Sequence, residues 1–384
     1  SGTNPSYDLT DGTKMFPFIY VAGGTWTVNF GQQPFTYTPP TGFKKLNTFN
    51  LPNSTIEDGS EHFANKLYTG NASTQSITGL DFSPDLTWIK VRNSASYEHM
   101  WFDSVRGVTK YIRSNTNSGE GTVASTLTSF DSNGFSLGNN NDVNGSGFPI
   151  VSWNWKAGSS TVTNDVGDIT STISANPTAG FNIVSYSGNG SAATVGHGLG
   201  AIPDMIITKN RSAVNEWCTW HKDLSGAFAS NGAYIYLNTY DKAYTTSVFY
   251  DGTGISNSVV AFRAGTGEIN ASGNNYVMYA FKSVEGYSKI SSYTGNASAN
   301  GPFVYTGFRP AFVMFKNASD NRNWGLIDTA RSTSNKTLAT LEPDLANVEN
   351  TSDNFDFYSN GFRPVSTDPG SNGSGNTIIY MAFA

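Results

Sequence analysis

Tyr68-Thr69-Gly70-Asn71, Tyr186-Ser187-Gly188-Asn189 and Tyr293-Thr294-Gly295-Asn296 decide the architecture, because one short motif opens three successive units of roughly a hundred residues. Each is followed by a proline-led apolar run that ends in lysine. The runs are Pro84-Asp85-Leu86-Thr87-Trp88-Ile89-Lys90, Pro203-Asp204-Met205-Ile206-Ile207-Thr208-Lys209 and Pro310-Ala311-Phe312-Val313-Met314-Phe315-Lys316. A tryptophan comes next: Trp101, then Trp217 or Trp220, then Trp324. Each unit closes on a turn and a strand. Asn144-Gly145-Ser146-Gly147 leads to Pro149–Trp153, Asn270-Ala271-Ser272-Gly273 to Tyr276–Phe281, and Asn372-Gly373-Ser374-Gly375 to Ile378–Phe383. Units one and three also share Ser132-Asn133-Gly134-Phe135 and Ser359-Asn360-Gly361-Phe362. Four landmarks in the same order establish a triplication.

Each landmark has a strand-and-turn explanation. Proline lacks an N–H and suits the first position of a strand. The runs are β-branched or aromatic, short, and bounded by Gly, Asn and Ser. Asn-Gly and Ser-Gly supply the positive φ of tight connections. In the second unit Phe181–Ser187, Met205–Lys209, Ala233–Asn238, Val259–Arg263 and Tyr276–Phe281 read as five strands. Some helical turns are expected near Ile56–Asn65, but no structural helix is required. The fold class that follows is all-β: tandem antiparallel β-sandwiches, jelly-roll or concanavalin-like, one core per copy, in an elongated array. The expected boundaries are 56–160 for the first sandwich, 161–177 for a linker, 178–285 for the second and 286–384 for the third, with 1–55 outside the repeat.

Composition agrees. Of 384 residues, only 14% are charged while 14% are aromatic, so large rings replace the missing Leu and Ala in the cores. The 29 acidic and 23 basic residues are spread along the chain. No Lys/Arg stripe exists to neutralise phosphates, which argues against nucleic acid as a partner; Lys44-Lys45 reads as solvated surface. The single cysteine, Cys218, excludes an internal disulfide and reads as a buried, inert thiol. No apolar run is long enough for a bilayer helix, so membrane insertion is not expected. No signal peptide is visible.

No catalytic signature occurs: no HExxH, Walker loop, GxSxG elbow or CxxC pair. His62, His99, His197 and His221 never share ligand spacing, and His197 in its glycine turn suits a local hydrogen-bonding role. Asp103 and Asp328 follow a tryptophan, as Asp223 does less closely, and read as structural carboxylates. The Asn139–Asn144 stretch lacks the spacing of a calcium loop. Lys90, Lys209 and Lys316 read as residues that either point from a strand edge or cover apolar surface with their stems. Trp153 and Trp155 share one face of a buried strand, with Asn154 on the other. The Asn-x-Ser/Thr triplets at Asn71, Asn189, Asn296 and Asn372 read as turn chemistry. No catalytic residue, metal ligand or cofactor is therefore expected, and no binding residue is singled out. The chain reads as a binding or structural module and not an enzyme.

Two resemblances add to this reading. Residues 1–55 contain Trp26–Phe35, with Asn29-Phe30-Gly31-Gln32-Gln33-Pro34-Phe35, and then Pro40-Thr41-Gly42-Phe43. This resembles the last strands of a SPRY-like sandwich of phage proteins, and implies that the chain is the carboxy-terminal part of a longer polypeptide. Gly196-His197-Gly198-Leu199-Gly200, Ile202-Pro203-Asp204 and Lys209-Asn210-Arg211-Ser212 resemble a tandem repeat of unknown function in structural proteins of tailed phages. That resemblance covers most of residues 60–384; the third copy departs from it by lacking the His-Gly-Leu turn and by carrying Ala311. It implies a virion surface protein, assembled in the host cytoplasm and acting outside it. A tail fibre or receptor-binding appendage is the first expectation, a capsid decoration protein the alternative, and a polysaccharide-degrading enzyme a third. The implied partners are other virion proteins, a host-surface glycan or protein receptor, and further copies of the chain, with a trimer suggested by the fibre analogy.

Overall fold

The computed structural model describes residues 54–384 except 228–231, 247, 264 and 352–354, together with the isolated positions 34, 37, 38 and 41. The SPRY-like reading of 1–55 falls almost wholly outside the described residues. Residues 54–384 form one compact unit, and it is all-β.

Every copy is built on the same four antiparallel strands. The opening strands are Phe63–Thr69, Phe181–Ser187 and Ser288–Thr294. The central strands, which follow the proline, are Leu86–Val91, Met205–Asn210 and Phe312–Asn317. The return strands are Met100–Asp103, Cys218–His221 and Gly325–Asp328. The closing strands are Pro149–Trp155, Asn275–Phe281 and Thr377–Phe383. The sheet order is opening, closing, central, return in all three copies. All five strands expected in copy two are present, the third as Tyr234–Tyr236. The stretch 161–177, read as a linker, carries strands Val162–Asn164 and Ser171–Asn176, which extend the sheet of copy two. Near Ile56–Asn65 there is one short 3₁₀ turn, Gly59–Glu61, before the opening strand.

The side chains alternate between two cores. On the outer face, each sheet packs against a small second sheet. In copy one this is Gln75–Thr78, Gly134–Leu137 and Leu127–Asp131; in copy two, Ala193–Gly196 and Val259–Phe262; in copy three, Val304–Tyr305, Gly361–Pro364 and Phe355–Tyr358. Each pair of sheets encloses a core of its own. The inner faces do something the expected array did not include. Trp88, Trp153, Ile183, Met205, Tyr279, Ile290, Met314 and Met381 all belong to one shared cluster. The copies therefore do not form an elongated array within 54–384; they close around a fourth core. Both faces of each sheet are hydrophobic, and a sheet with two apolar faces must bury both.

Strand register identifies equivalent residues. Leu86 pairs with Trp155, Met205 with Phe281 and Phe312 with Phe383. The three equivalent rings Trp155, Phe281 and Phe383 meet with centroids 6.4, 5.8 and 6.2 Å apart. This near-equilateral triangle marks a pseudo-threefold axis. Rings at these separations and tilts pack favourably beyond their buried area.

Candidate functional site

Residues that recur in all three copies are the natural candidates for a site. The first recurring set joins the two glycine motifs. Asn144 accepts from the Asn71 N–H at 2.9 Å and donates to Asn71 Oδ1, Ser73 O and Gly138 O. Asn270 does the same with Asn189 and Ser191, and Asn372 with Asn296, Ser298 and Ser366. The motif tyrosines Tyr68, Tyr186 and Tyr293 donate to the carbonyls of Val143, Ile269 and Ser371. A Cβ on Gly70, Gly188 or Gly295 would collide with the carbonyl oxygen of Gly145, Ala271 or Gly373, which is why glycine stands there. The motif is a clasp between the opening and closing strands. The Asn-rich stretch 139–144 is consumed in it, with Asn140 capping the short helix Asn141–Asn144.

The second set is the three lysines, and here the sequence expectation is corrected. Lys90, Lys209 and Lys316 are fully buried and do not lie at an edge. Each sits two residues beyond an inward-facing core residue, so it too points inward. Lys90 donates to the carbonyls of Val91, Ser94 and Tyr97. Lys209 donates to those of Asn210 and Asn215 and to Asn117 of copy one. Lys316 donates to Arg322 O and to Tyr240 O of copy two. Burial pushes all three ammonium groups down to about 8, so they are charged at neutral pH and held by carbonyl oxygens.

These bonds reveal how the copies are joined. A loop of each copy grips the lysine turn of the next. Glu120 N donates to Arg211 O at 2.8 Å, Ala243 N to Ala318 O at 2.9 Å, and Glu349 N to Arg92 O at 2.8 Å. The last of these runs from copy three back to copy one, so the ring is closed. Trp217 Nε1 donates into copy one at Arg113 O and Thr116 O, and Trp324 Nε1 into copy two at Tyr236 O. Register places His99 at the equivalent position of copy one, where its Nδ1 accepts from Trp88 Nε1. The recurring tryptophan of the sequence reading is thus misaligned. Trp101 matches Thr219 and Leu326, whereas Trp217 and Trp324 match a histidine.

The third set strengthens two joints. Asp103 and Arg106 form a fully buried ion pair, and Asp328 with Arg331 forms its counterpart at 2.6 Å. Asp103 accepts from Tyr279 of copy two, and Asp328 from Trp153 Nε1 of copy one. The arginines reach on to Glu120 and Glu349, which pair in turn with Arg211 and Arg92. Burial would raise the pKa of both glutamates, yet the flanking arginines hold them below the ordinary value. The expected backbone bonds to Asp103 and Asp328 are present, from the N–H groups of Arg106 and Arg331. The equivalent of the pair in copy two is His221, not Asp223, because Met205 pairs with His221 as Leu86 does with Asp103. Here Leu224, Ala243 and Ala318 take the places of Arg106, Glu120 and Arg211. All four charged positions change together at the joint between copies two and three.

The remaining candidates are local. His197 accepts from Leu199 N–H, and its Nε2 lies 3.1 Å from Ser256 O, a hydrogen-bonding role inside its own loop. Cys218 is buried, and burial pushes its thiol pKa up. Trp153 and Trp155 share the inner core, and Asn154 turns outward to bond Ala64 O. Asp85 accepts from the N–H groups of Ala157 and Ser159, and Asp204 from Ser283, so each holds the segment leaving the closing strand. Among the described residues no group of three His, Cys, Asp or Glu side chains could hold a metal. No described helix is long and apolar enough to cross a membrane.

A polar set spent entirely on clasps and joints, within a closed ring of three two-sheet copies, defines an all-β repeat protein whose common residues serve architecture. Residues 58–384 match the family model described as Domain of unknown function (DUF7483), and the chain belongs to that family. No curated protein and no solved structure matches it.

Proposed function

We propose that this chain is a non-enzymatic virion surface protein of a tailed phage, a tail fibre or other appendage that presents its exposed loops to a host receptor. The observation that carries the non-enzymatic part is the fate of the recurring polar residues. Asn144, Lys90, Asp103 and their equivalents are turned inward and bonded to the protein's own backbone or to each other. A general acid or base needs a proton-bearing group open to a substrate, and none of these is. The virion assignment is supported by the resemblance of the Gly196–Ser212 series to repeats in phage structural proteins. The exposed surfaces of the copies also differ, and recognition usually resides on such surfaces.

Labelling of purified particles with an antibody against this chain tests the assignment. Label on tails, together with competition between purified protein and infecting phage for host cells, is the expected result. Label confined to heads would replace it with a capsid decoration role. Clearing of host capsule by the purified protein would overturn the non-enzymatic reading.

A further inference from the structure

We infer that the outer sheet of copy three is a binding platform for a neutral oligosaccharide; this rests on the receptor-binding reading above and names its ligand class and site. The platform is the solvent face of Val304–Tyr305, Gly361–Pro364 and Phe355–Tyr358. Side chains alternate, so Val304, Phe355, Phe357 and Phe362 fill the core below while the residues between them face out. Across the face, Tyr305 is opposite Gly361 and Gly361 is opposite Tyr358. Phe303, just before the first strand, leans over Gly361, near the place a Cβ would occupy. Its ring meets Tyr358 edge-on at 5.7 Å. Phe303 is 45% and Tyr305 63% exposed. These are large rings held in water, on strands whose pairing itself requires Gly361: a Cβ there would strike Val304 O, as one on Gly134 of copy one would strike Ile77 O.

The other two copies show that the fold does not require this. In the register of copy one, Ser76, Thr78, Asp131 and Ser136 stand where copy three has Phe303, Tyr305, Tyr358 and Arg363. There the hydroxyls bond one another and Asp131. Copy two has Thr194, Gly196 and Ala261 at three of these positions. At these sheet positions aromatic side chains occur in copy three alone.

The rim identifies the occupant. Arg363 lies over the Tyr358 ring at 5.5 Å and donates from Nη1 to Asn300 Oδ1; its Nε is buried, which leaves the outer guanidinium edge to face a ligand. Asp356 stands directly opposite Arg363 on the neighbouring strand. A planar cation and a carboxylate side by side offer a donor and an acceptor to adjacent hydroxyls, with no net charge to favour an ion. A pyranose ring has the matching form, with a patch of C–H groups for the aromatic rings and hydroxyls around its edge. An apolar protein surface would instead take the Arg363 and Asp356 charges out of water, with only Asn300 and the Tyr358 hydroxyl to compensate.

Saturation-transfer NMR on the full chain with cellohexaose, chitohexaose, maltohexaose and a mannohexaose tests this. The expected result is transfer to the ring C–H protons of at least one sugar. The double variant Phe303→Ser/Tyr305→Thr, which installs the residues of copy one, should weaken that binding at least tenfold. It should melt with the parent, since both positions are exposed. Tyr240→Ala, an exposed tyrosine elsewhere, should leave binding unchanged. Absence of transfer from all four sugars overturns the inference, as does equal binding by the double variant or equal loss in Tyr240→Ala. Self-association in sedimentation that the double variant abolishes, without sugar binding, would assign the face to a second copy instead. Tail labelling with no sugar binding would sink this inference and leave the virion assignment standing.

Discussion

One side-chain amide holds each copy shut. Asn144 is fully buried and makes four bonds, to Asn71, Ser73 and Gly138. Asn144→Ala is expected to cost about 2–4 kcal/mol, because it strands the backbone groups it serves. Urea denaturation measures this, and Asn144→Asp, which sets a buried carboxylate oxygen against Asn71 Oδ1, Ser73 O and Gly138 O, should cost at least as much at neutral pH. A second residue works against stability. Asp344 is the copy-three counterpart of Asn115 and Asn238: each accepts from the N–H of His99, Trp217 or Trp324. Its other oxygen is buried without a partner, and burial holds the carboxyl at about 8 although Lys316 faces it. Its folded pKa is raised, so its stabilising contribution is complete below about pH 4 and is lost as the pH climbs through 8. Asp344→Asn, the residue of the other two copies, should gain about 1–3 kcal/mol at pH 7. The gain should vanish towards pH 4 when melting is followed across that range. At this scale the sequence was partly legible. Asn and Gly read as turn formers from local chemistry alone. The lysines did not read correctly, because periodicity gives the direction of Lys209 but not the Asn117 carbonyl that another copy brings to it.

Elements carry the joints, and the three are chemically unequal. Two of them bury an aspartate–arginine pair bridged to a glutamate–arginine pair. Such a network contributes little net stability but is costly to half-remove. Arg106→Leu alone should therefore destabilise by about 3–5 kcal/mol, since Asp103 is left buried and unpaired. Adding Asp103→His, which completes the pattern of the middle joint, is expected to cost less than the single change. A double-mutant cycle in urea at fixed ionic strength reads that coupling. Strand positions were legible because each landmark is local: proline, apolar run, glycine turn. The return strands, Cys218–His221 among them, were not among the expected strands; only the tryptophans near them were marked, and these misled by two positions. Trp101 lies on the inner face, whereas Trp217 precedes its strand and reaches across a joint. A residue type shared by chance at neighbouring positions cannot reveal which partner it meets.

For the molecule as a whole, the shared core makes the copies interdependent. Phe281→Ala in copy two removes one corner of the Trp155–Phe281–Phe383 triangle and should cost about 3–5 kcal/mol. Calorimetry of the chain is expected to show one endotherm for residues 54–384, shifted down as a unit; three separate transitions would contradict the common core. The triplication was readable from the sequence, and closure was not. Apolar runs such as Met205–Ile207 announce a sheet buried on both faces, but they do not say that the second cover is another copy. Closure has a further consequence in mass action. Three separate single-copy chains would come apart on dilution, since each joint would be an encounter between molecules. Joined in one polypeptide, every joint forms at an effective concentration in the millimolar range. The ring should therefore persist at any dilution, with each position fixed in identity, so that a single copy can carry a surface the other two do not.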